Sequence, residues 1–180
     1  MIEVVCGPMF SGKTTEMIRR VQRAKIAKQP TVVLKPVIDV RSGPDETTTH
    51  DFKKINAKPV KAADLDTVRS LIGNAKVVGV DEIQFFPAEM ISTINVLSSE
   101  GIRVIVSGLD MDSNGTEFSN TAILCARAVK VDKLAAICMK CGKDATMSFR
   151  LHPSEEIVMV GGKELYEARC YACWRDSDAQ

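Results

Sequence analysis

The sequence predicts an α/β fold, in which helices cover both faces of a mostly parallel sheet, followed by a small cysteine-bearing unit. Short apolar runs alternate with segments of helical periodicity, which is typical of β-α-β units. Residues 7–14 have the spacing G-x-x-x-x-G-K-T directly after the first apolar run. From about Ala135 the alternation stops, and two C-x-x-C pairs flank short β-like pieces. These three observations define the expected architecture.

Composition is that of an ordinary globular protein. The 180 residues are 45% hydrophobic and 26% charged, which is enough apolar mass for one core and a small appendage. A net charge of +1 and 5% aromatic residues argue against a nucleic-acid partner. No apolar run is long enough to span a membrane, and residues 1–5 lack the basic start of a signal peptide. We therefore expect a cytoplasmic protein with neither a nucleic-acid nor a membrane partner.

Periodicity assigns most of the chain to strands and helices. Residues 36–51 are polar and aperiodic, which predicts a long loop in which His50 is an exposed histidine. The polar face of the first helix carries Arg19, Arg20, Arg23, Lys25 and Lys28. Most of them are expected to be solvated, and phosphate contact is the alternative. The strands are expected at 2–6, 31–35, 57–61, 76–82, 102–109 and 129–134, and the helices at 14–28, 64–72, 87–99 and 116–128.

The strand, turn and helix around residues 7–14 predict a P-loop that binds a nucleoside triphosphate. Its backbone N–H groups and the helix N-terminus would face the phosphates. Lys13 is placed to reach the β- and γ-phosphates, and Thr14 to ligate Mg²⁺. Downstream, a buried strand ends in Asp81-Glu82, the expected second phosphate-handling element. A helix cap formed by Asp81 is the alternative reading of that carboxylate.

The two C-x-x-C pairs predict a structural zinc site with the ligands Cys138, Cys141, Cys170 and Cys173. Four thiolates leave no open position for a reacting water. Two unrelated thiol pairs or a redox C-x-x-C are the alternatives, although a redox site needs only one pair. Cys6 and Cys125 fall in apolar patterns and are expected to be small core residues.

Several segments together resemble the type II thymidine kinases, the cytosolic, zinc-containing class. They are residues 7–16, 35–41, 81–86 and 108–112, and the C-x-x-C pairs that flank residues 161–166. The resemblance covers essentially the whole chain, in order. It implies a RecA-like P-loop domain over residues 1–134 and a zinc-binding domain over 135–180, which carries a nucleoside-binding loop of the lasso type.

The resemblance also implies an activity, the ATP-dependent phosphorylation of the 5′-hydroxyl of thymidine or deoxyuridine. Glu82 would be the general base, and Thr14 and Asp81 would hold Mg²⁺. Neighbouring side chains on a strand point to opposite faces, so the chain must leave strand geometry at Asp81-Glu82 for both to serve one site. The implied ATP-binding residues are Gly7, Pro8, Met9, Phe10, Ser11, Gly12, Lys13, Thr14, Asp81 and Gln84.

For the nucleoside, the resemblance implies a base pocket closed by a loop at about residues 157–166. Core packing is the competing interpretation for Leu109 and Phe118. Arg150 matches a basic residue near the acceptor. A homotetramer, feedback inhibition by thymidine triphosphate and a role in thymidine salvage for DNA synthesis are implied in the same way. The implied substrate-binding residues are Met9, Phe86, Leu109, Phe118, Ile157, Met159, Gly161 and Tyr166.

One departure from the family pattern falls in the loop after the fifth predicted strand. Ser113 stands where the family usually has an aromatic residue in contact with the pyrimidine, and Asn114 stands in place of an arginine. Losing the ring is expected to weaken nucleoside binding by about 1 kcal/mol or more, unless a neighbouring side chain fills the gap.

Three other functions compete with this interpretation. A nucleoside monophosphate kinase with a four-cysteine lid would carry the cysteines mid-chain, with several arginines nearby, whereas here they come at the end. A zinc-ribbon ATPase that binds nucleic acid would need a basic, aromatic-rich surface. An inactive homologue would not be expected to keep Lys13, Thr14, Asp81 and Glu82.

Overall fold

The computed structural model describes residues 1–38, 46–48, 54–152 and 162–176. The strands, in chain order, are β1 (Ile2–Gly7), β2 (Thr31–Pro36), β3 (Glu46–Thr48), β4 (Lys54–Asn56), β5 (Lys58–Val60), β6 (Val77–Val80), β7 (Arg103–Leu109), β8 (Lys130–Lys133), β9 (Ala136–Ile137), β10 (Asp144–Ala145), β11 (Met147–Arg150) and β12 (Tyr166–Arg169). The helices are α1 (Lys13–Ile26), α2 (Leu65–Ile72), α3 (Glu89–Ser99), α4 (Ser119–Arg127) and α5 (Tyr171–Arg175).

The main sheet has six strands in the order β5-β2-β6-β7-β1-β8, and each neighbouring pair is parallel. Parallel strands present their carboxyl ends at one edge, where open α/β sheets bind ligands. The register pairs Gly7 with Leu109 and Val80 with Val106, so the segments that follow β1, β6 and β7 emerge side by side. The predicted α/β class is confirmed. The sheet also brings together residues 7–14 and 81–82, the two segments predicted to handle phosphate.

Helices cover both faces of the sheet. The apolar stripe of α1 packs on one face, where Met17, Val21 and Ala24 join a buried cluster with strand residues. On the opposite face, α2, α3 and α4 pack over a larger cluster, to which Val68, Ile94 and Leu124 contribute one residue from each helix. In the described part of the chain, no helix is both long and apolar enough to cross a membrane.

Two local features differ from the sequence-based expectation. The helix predicted to begin at residue 116 begins at Ser119, because Met111 and Glu117 form a β-bridge and the Phe118 N–H donates to the Asp110 carbonyl. These bonds keep residues 116–118 in the loop that precedes α4. The predicted loop 36–51 contains a short strand, β3, which pairs antiparallel with β4 beyond the loop. Strands of three residues are too short to show an alternating pattern in the sequence. His50, the predicted exposed histidine, lies outside the described residues.

Arg20 is buried, although its place on the polar face of α1 predicts a solvated side chain. Its guanidinium contacts three carboxylates, those of Glu3 at 3.0 Å, Glu16 at 2.8 Å and Asp132 at 2.5 Å. Glu3 comes from β1 and Asp132 from β8, so the partners that allow burial are distant in the sequence. Because an unpaired charge is costly to bury, this ion-pair cluster explains why the arginine lies inside.

The C-terminal unit follows β8 directly and consists of short hairpins with one helix. β9 pairs with β10 and β11 with β12, both antiparallel, and α5 follows β12. The Leu134 N–H still donates to the Cys6 carbonyl at 2.8 Å, so the sheet continues to the predicted boundary at residue 134. The buried cluster of the unit is small and consists of Ala136, Cys138, Ala145 and Ala168.

Candidate active site

The loop that leads from β1 into α1, residues 7–12, contains three residues with positive φ. Gly7 has φ 141° and Gly12 has φ 83°, both values that favour glycine. A Cβ at Gly7 would also clash with the Leu134 carbonyl oxygen. Phe10 adopts φ 66°, a left-handed conformation uncommon for a bulky residue. The sequence motif therefore has a structural reason at each glycine, and α1 begins immediately after the loop at Lys13.

The Lys13 ammonium group lies against this loop. Its Nζ donates to the Pro8 carbonyl at 2.6 Å and lies 3.5 Å from Ser11 Oγ. Ser11 Oγ donates to the same carbonyl at 2.8 Å. A fixed positive charge thus lies beside the N-terminus of α1, where the helix dipole also favours an anion.

Asp81 is the buried carboxylate at the end of β6, with 3% exposure. Its side chain accepts hydrogen bonds from Thr14 Oγ1 at 3.1 and 3.2 Å and from Ser107 Oγ at 2.6 Å. The Glu82 backbone N–H donates to it at 3.1 Å. These bonds join the first turn of α1, the end of β6 and β7. The carboxylate therefore faces the P-loop residue Thr14, which favours the phosphate-handling interpretation of Asp81 over the helix cap.

Glu82 has φ 54° and ψ 47°, so the chain leaves strand geometry at this residue. The sequence argument requires such a departure for two adjacent carboxylates to serve one site. A non-glycine residue in this region stores strain of order 1–3 kcal/mol, which is found most often at functional sites. A 3-10 turn, Ile83–Phe85, follows directly.

Gln84 connects Glu82 to the start of the next loop. Its Nε2 donates to Glu82 Oε2 at 2.5 Å, and its Oε1 accepts from the Leu109 N–H at 3.0 Å. Gly108 makes this possible, because a Cβ there would lie 2.8 Å from Gln84 Oε1. The side chain of Gln84 therefore orients the Glu82 carboxylate relative to β7.

The residues expected to line a base pocket are in several environments. Met9, Leu109 and Phe118 are half-buried, and Tyr166 is buried opposite Arg150 in the β11–β12 register. The Arg150 guanidinium lies 5.8 Å from the Tyr166 ring centroid. Phe86 belongs to the large core cluster, which favours a packing role for its ring. Three expected residues lie outside the described part of the chain, namely Ile157, Met159 and Gly161.

The P-loop also contacts the C-terminal unit. The Met9 N–H donates to Ser148 Oγ at 3.0 Å, and Phe10 packs against the small buried cluster of that unit. Sequence reasoning missed both Ser148 and Ser107. Ser107 had a weak signal, since it is a polar residue that follows the apolar run of residues 104–106 within a strand. Ser148 had none, because its partner is distant in the sequence.

The four predicted zinc ligands come together in the C-terminal unit. The Sγ atoms of Cys138, Cys141, Cys170 and Cys173 all lie within 4.8 Å of one another. Cys141 Sγ and Cys170 Sγ are 3.7 Å apart. Tetrahedral zinc with Zn–S bonds of about 2.3 Å places its sulfurs about 3.8 Å apart. The donor set and its spacing therefore fit zinc.

Contacts within the cluster shift the pKa values of two of these thiols in opposite directions. Burial raises the pKa of Cys138, but N–H groups of Cys170, Cys141 and Lys140 outweigh it and lower that pKa to about 6. Thiol–thiol hydrogen bonds, the strongest from Cys170, raise the pKa of Cys173 to about 12. Four thiols this close cannot all ionise without a positive charge among them, and a divalent ion supplies that charge.

Known proteins similar to this chain agree on one family. The family model described as "Thymidine kinase" matches residues 1–174. Thymidine kinases from two strains of Bacteroides fragilis are each 41% identical over 174 residues, covering 97% of this chain and 86% of each relative.

Solved structures give weaker similarity. The replication initiator DnaA bound to AMPPCP and single-stranded DNA has 11% identity and a TM-score of 0.47, and covers 74% of this chain and 40% of its own. The family match over residues 1–174 and the 41% identity each show the family of this chain. The chain belongs to the thymidine kinase family and is an enzyme of the transferase class.

Proposed function

We propose that this enzyme transfers the γ-phosphoryl group of ATP to the 5′-hydroxyl of thymidine or deoxyuridine. The observation that carries the proposal is the pair of adjacent carboxylates at the end of β6. Asp81 is buried and bonded to the P-loop residue Thr14, while Glu82 is turned out of the strand by its left-handed backbone. One carboxylate suits a metal position, and the other suits proton transfer.

On the ATP side, the P-loop of residues 7–14 holds the phosphates through backbone N–H groups and the Lys13 ammonium. Thr14 and Asp81 are the residues that would hold Mg²⁺, and Gln84 supports the site from the side of β7. Bound Mg²⁺ neutralises charge on the phosphates during transfer. Ser107 acts on Asp81, because its 2.6 Å hydrogen bond fixes the orientation of that carboxylate.

On the acceptor side, Glu82 is the general base. A neutral 5′-hydroxyl must lose its proton as the phosphorus–oxygen bond forms, and a carboxylate within hydrogen-bond reach can accept it. The amide of Gln84 orients Glu82 for this role through the 2.5 Å hydrogen bond. Phosphoryl transfer depends mainly on positioning and on charge, so this orientation contributes directly to the rate.

Met9, Leu109, Phe118 and Tyr166 form the walls of the nucleoside pocket, together with the loop at about residues 157–166. Phe86 supports the pocket from the core. Thymidine and deoxyuridine differ by one methyl group. An apolar pocket separates such a pair by only about 1–3 kcal/mol, so both are expected to be substrates.

The four-thiol site holds zinc in a structural role, since four ligands leave no position for a reacting water. From the family resemblance we further propose a cytoplasmic homotetramer that serves thymidine salvage. Thymidine triphosphate, which carries the same base, would inhibit by binding at the acceptor side. The two-domain division at residue 134 belongs to the same proposal.

The test is ATP-dependent phosphorylation of thymidine, deoxyuridine, deoxycytidine and thymidine monophosphate by the wild type and by Glu82→Gln. We expect turnover of thymidine and deoxyuridine, with kcat lower by about 10²–10⁴ in the variant and ATP binding retained. Glu89→Gln is the matched control, because Glu89 is an exposed carboxylate in the first turn of α3. Turnover of the monophosphate alone would instead identify a nucleotide kinase. ATP binding without phosphorylation of any acceptor would refute the proposal.

A further inference from the structure

Trp174, the one tryptophan of the chain, connects the C-terminal unit to the loop between β7 and α4. It lies on α5 directly after the zinc ligand Cys173, and its indole is half-buried. The indole Nε1–H donates to the Ser113 carbonyl at 3.1 Å. This bond joins an element organised by the four cysteines to the loop of residues 110–118, which we call the β7–α4 loop.

The indole ring also packs on the backbone of this loop. A Cβ at Gly115 would lie 3.4 Å from Trp174 Cη2 and 3.3 Å from Met147 Cε, so both side chains lie close to the glycine. Gly115 has φ 80°, which favours glycine as well. Tyr171 stacks on the indole with ring centroids 6.0 Å apart and is itself exposed.

The β7–α4 loop is internally bonded and can transmit this contact. Asp112 Oδ1 accepts from the N–H groups of Asn114 at 2.8 Å and Thr116 at 2.9 Å, and the Asp112 N–H donates to the Thr116 carbonyl. Residues 111 and 117 form a β-bridge. A loop cross-linked in this way is expected to move as a unit, so holding its tip at Ser113 holds its base as well.

The base of the loop reaches the reacting groups. The Leu109 N–H donates to Gln84, and Gln84 donates to Glu82. A continuous series of described contacts therefore runs from α5 through the β7–α4 loop to the proposed base. Leu109 and Phe118, at the two ends of the loop, are residues of the proposed nucleoside pocket.

We propose that Trp174 is a positioning residue for the nucleoside, because it holds the β7–α4 loop against the zinc-organised unit. The inference rests on the proposed function for the identity of the ligand. The Ser113 side chain is too small to supply an apolar contact of its own, whereas the Trp174 indole supplies both a ring and a hydrogen-bond donor. The donor bonds a backbone carbonyl, so the contact does not depend on the side chain at position 113.

The kinetic test compares Trp174→Phe, which keeps an aromatic ring but loses the donor, with Trp174→Ala, which loses both. We expect the KM for thymidine to rise by about fivefold in the first, as for one neutral hydrogen bond, and by about thirtyfold or more in the second. The KM for ATP and the zinc content should stay at the wild-type value. Lys143→Ala is the matched control, because Lys143 is an exposed side chain of the same unit, and it should leave both KM values unchanged.

A second readout does not depend on activity. Hydrogen–deuterium exchange of the amides in residues 112–116 should quicken by about fivefold in Trp174→Phe without any ligand. A uniform rise in both KM values, loss of zinc, or unchanged exchange and KM in both variants would overturn the positioning role. If the wild type phosphorylates no nucleoside, the proposed function fails, and faster exchange in the variant would still support the contact between Trp174 and the loop.

Discussion

The two walls of the candidate site are stabilised by different means. The wall proposed to bind phosphate consists of residues 7–14 and 81–84 and is held by the main sheet, which has a buried apolar cluster on each face. The opposite wall belongs to the C-terminal unit, whose buried cluster is three alanines and one cysteine. Burial of alanine methyl groups contributes little, at about 25 cal/mol per Å² of apolar surface. We therefore expect the order of the second wall to depend on a bound metal, and that of the first wall not to.

The two walls nevertheless meet at the P-loop and at Trp174. Met9 bonds Ser148, Phe10 packs on the small cluster, and Trp174 bonds the β7–α4 loop. On this account, the site combines a half stabilised by apolar burial with a half whose order is expected to depend on a bound ion. Substitutions in each half should then have separable effects on ATP and on the nucleoside.

The largest expected effect comes from the first wall. Lys13→Ala removes the ammonium group that lies against the P-loop, and kcat/KM should fall by about 10³. The fold should be unchanged, since Lys13 is only half-buried. Steady-state kinetics and circular dichroism test this, with Lys25→Ala, an exposed lysine on the same helix, as the control. Wild-type kcat/KM in Lys13→Ala would contradict the assignment of this wall.

A smaller effect is expected where the walls meet. Ser148→Ala leaves the half-buried Met9 N–H without its acceptor, which costs the lower part of the about 1–3 kcal/mol lost by a fully buried donor. The KM for ATP should rise by about five- to tenfold, because the P-loop loses one of its fixed points. Ser99→Ala, on the exposed side of α3, serves as the control. If the KM for ATP does not change, the P-loop is positioned by the sheet alone.

The smallest effect concerns the pH dependence of the first wall. Hydrogen bonds from Arg19, and then from Arg20, lower the pKa of Glu16 to about 2 from 4.5. Arg103 and Arg20 also lower the pKa of Glu3, despite its burial. A carboxyl group with a lowered folded-state pKa stabilises the protein above its unfolded-state pKa and loses that contribution as pH falls.

The free energy of unfolding should therefore decrease between pH 4.5 and 2. Because Arg19 is largely exposed, solvent screening limits the contribution of Glu16 to the free energy of unfolding to about 1–2 kcal/mol. Denaturant titrations at several pH values measure this free energy. Glu16→Gln should show a shallower decrease than the wild type, and equal slopes would contradict the role of the ion pairs.

Local patterns predicted much of this fold and of its site. The strand-turn-helix of the P-loop, the parallel sheet, the departure from strand geometry at Glu82 and the four cysteines follow from short motifs and from backbone geometry. Contacts between distant segments were not readable from sequence. Arg20 is buried because carboxylates of β1 and β8 pair with it, and Ser148 and Trp174 contact residues that are far from them in the sequence.

The decisive measurement is the binding of ATP and of thymidine, each by itself, to protein from which a chelator has removed the metal. If the walls differ as argued, thymidine affinity falls by about a hundredfold or more and returns with zinc, while ATP affinity changes by less than about tenfold. The thermal unfolding of the main sheet should remain. Unchanged thymidine binding without metal, or loss of both ligands together with global unfolding, would contradict the proposed division of the site.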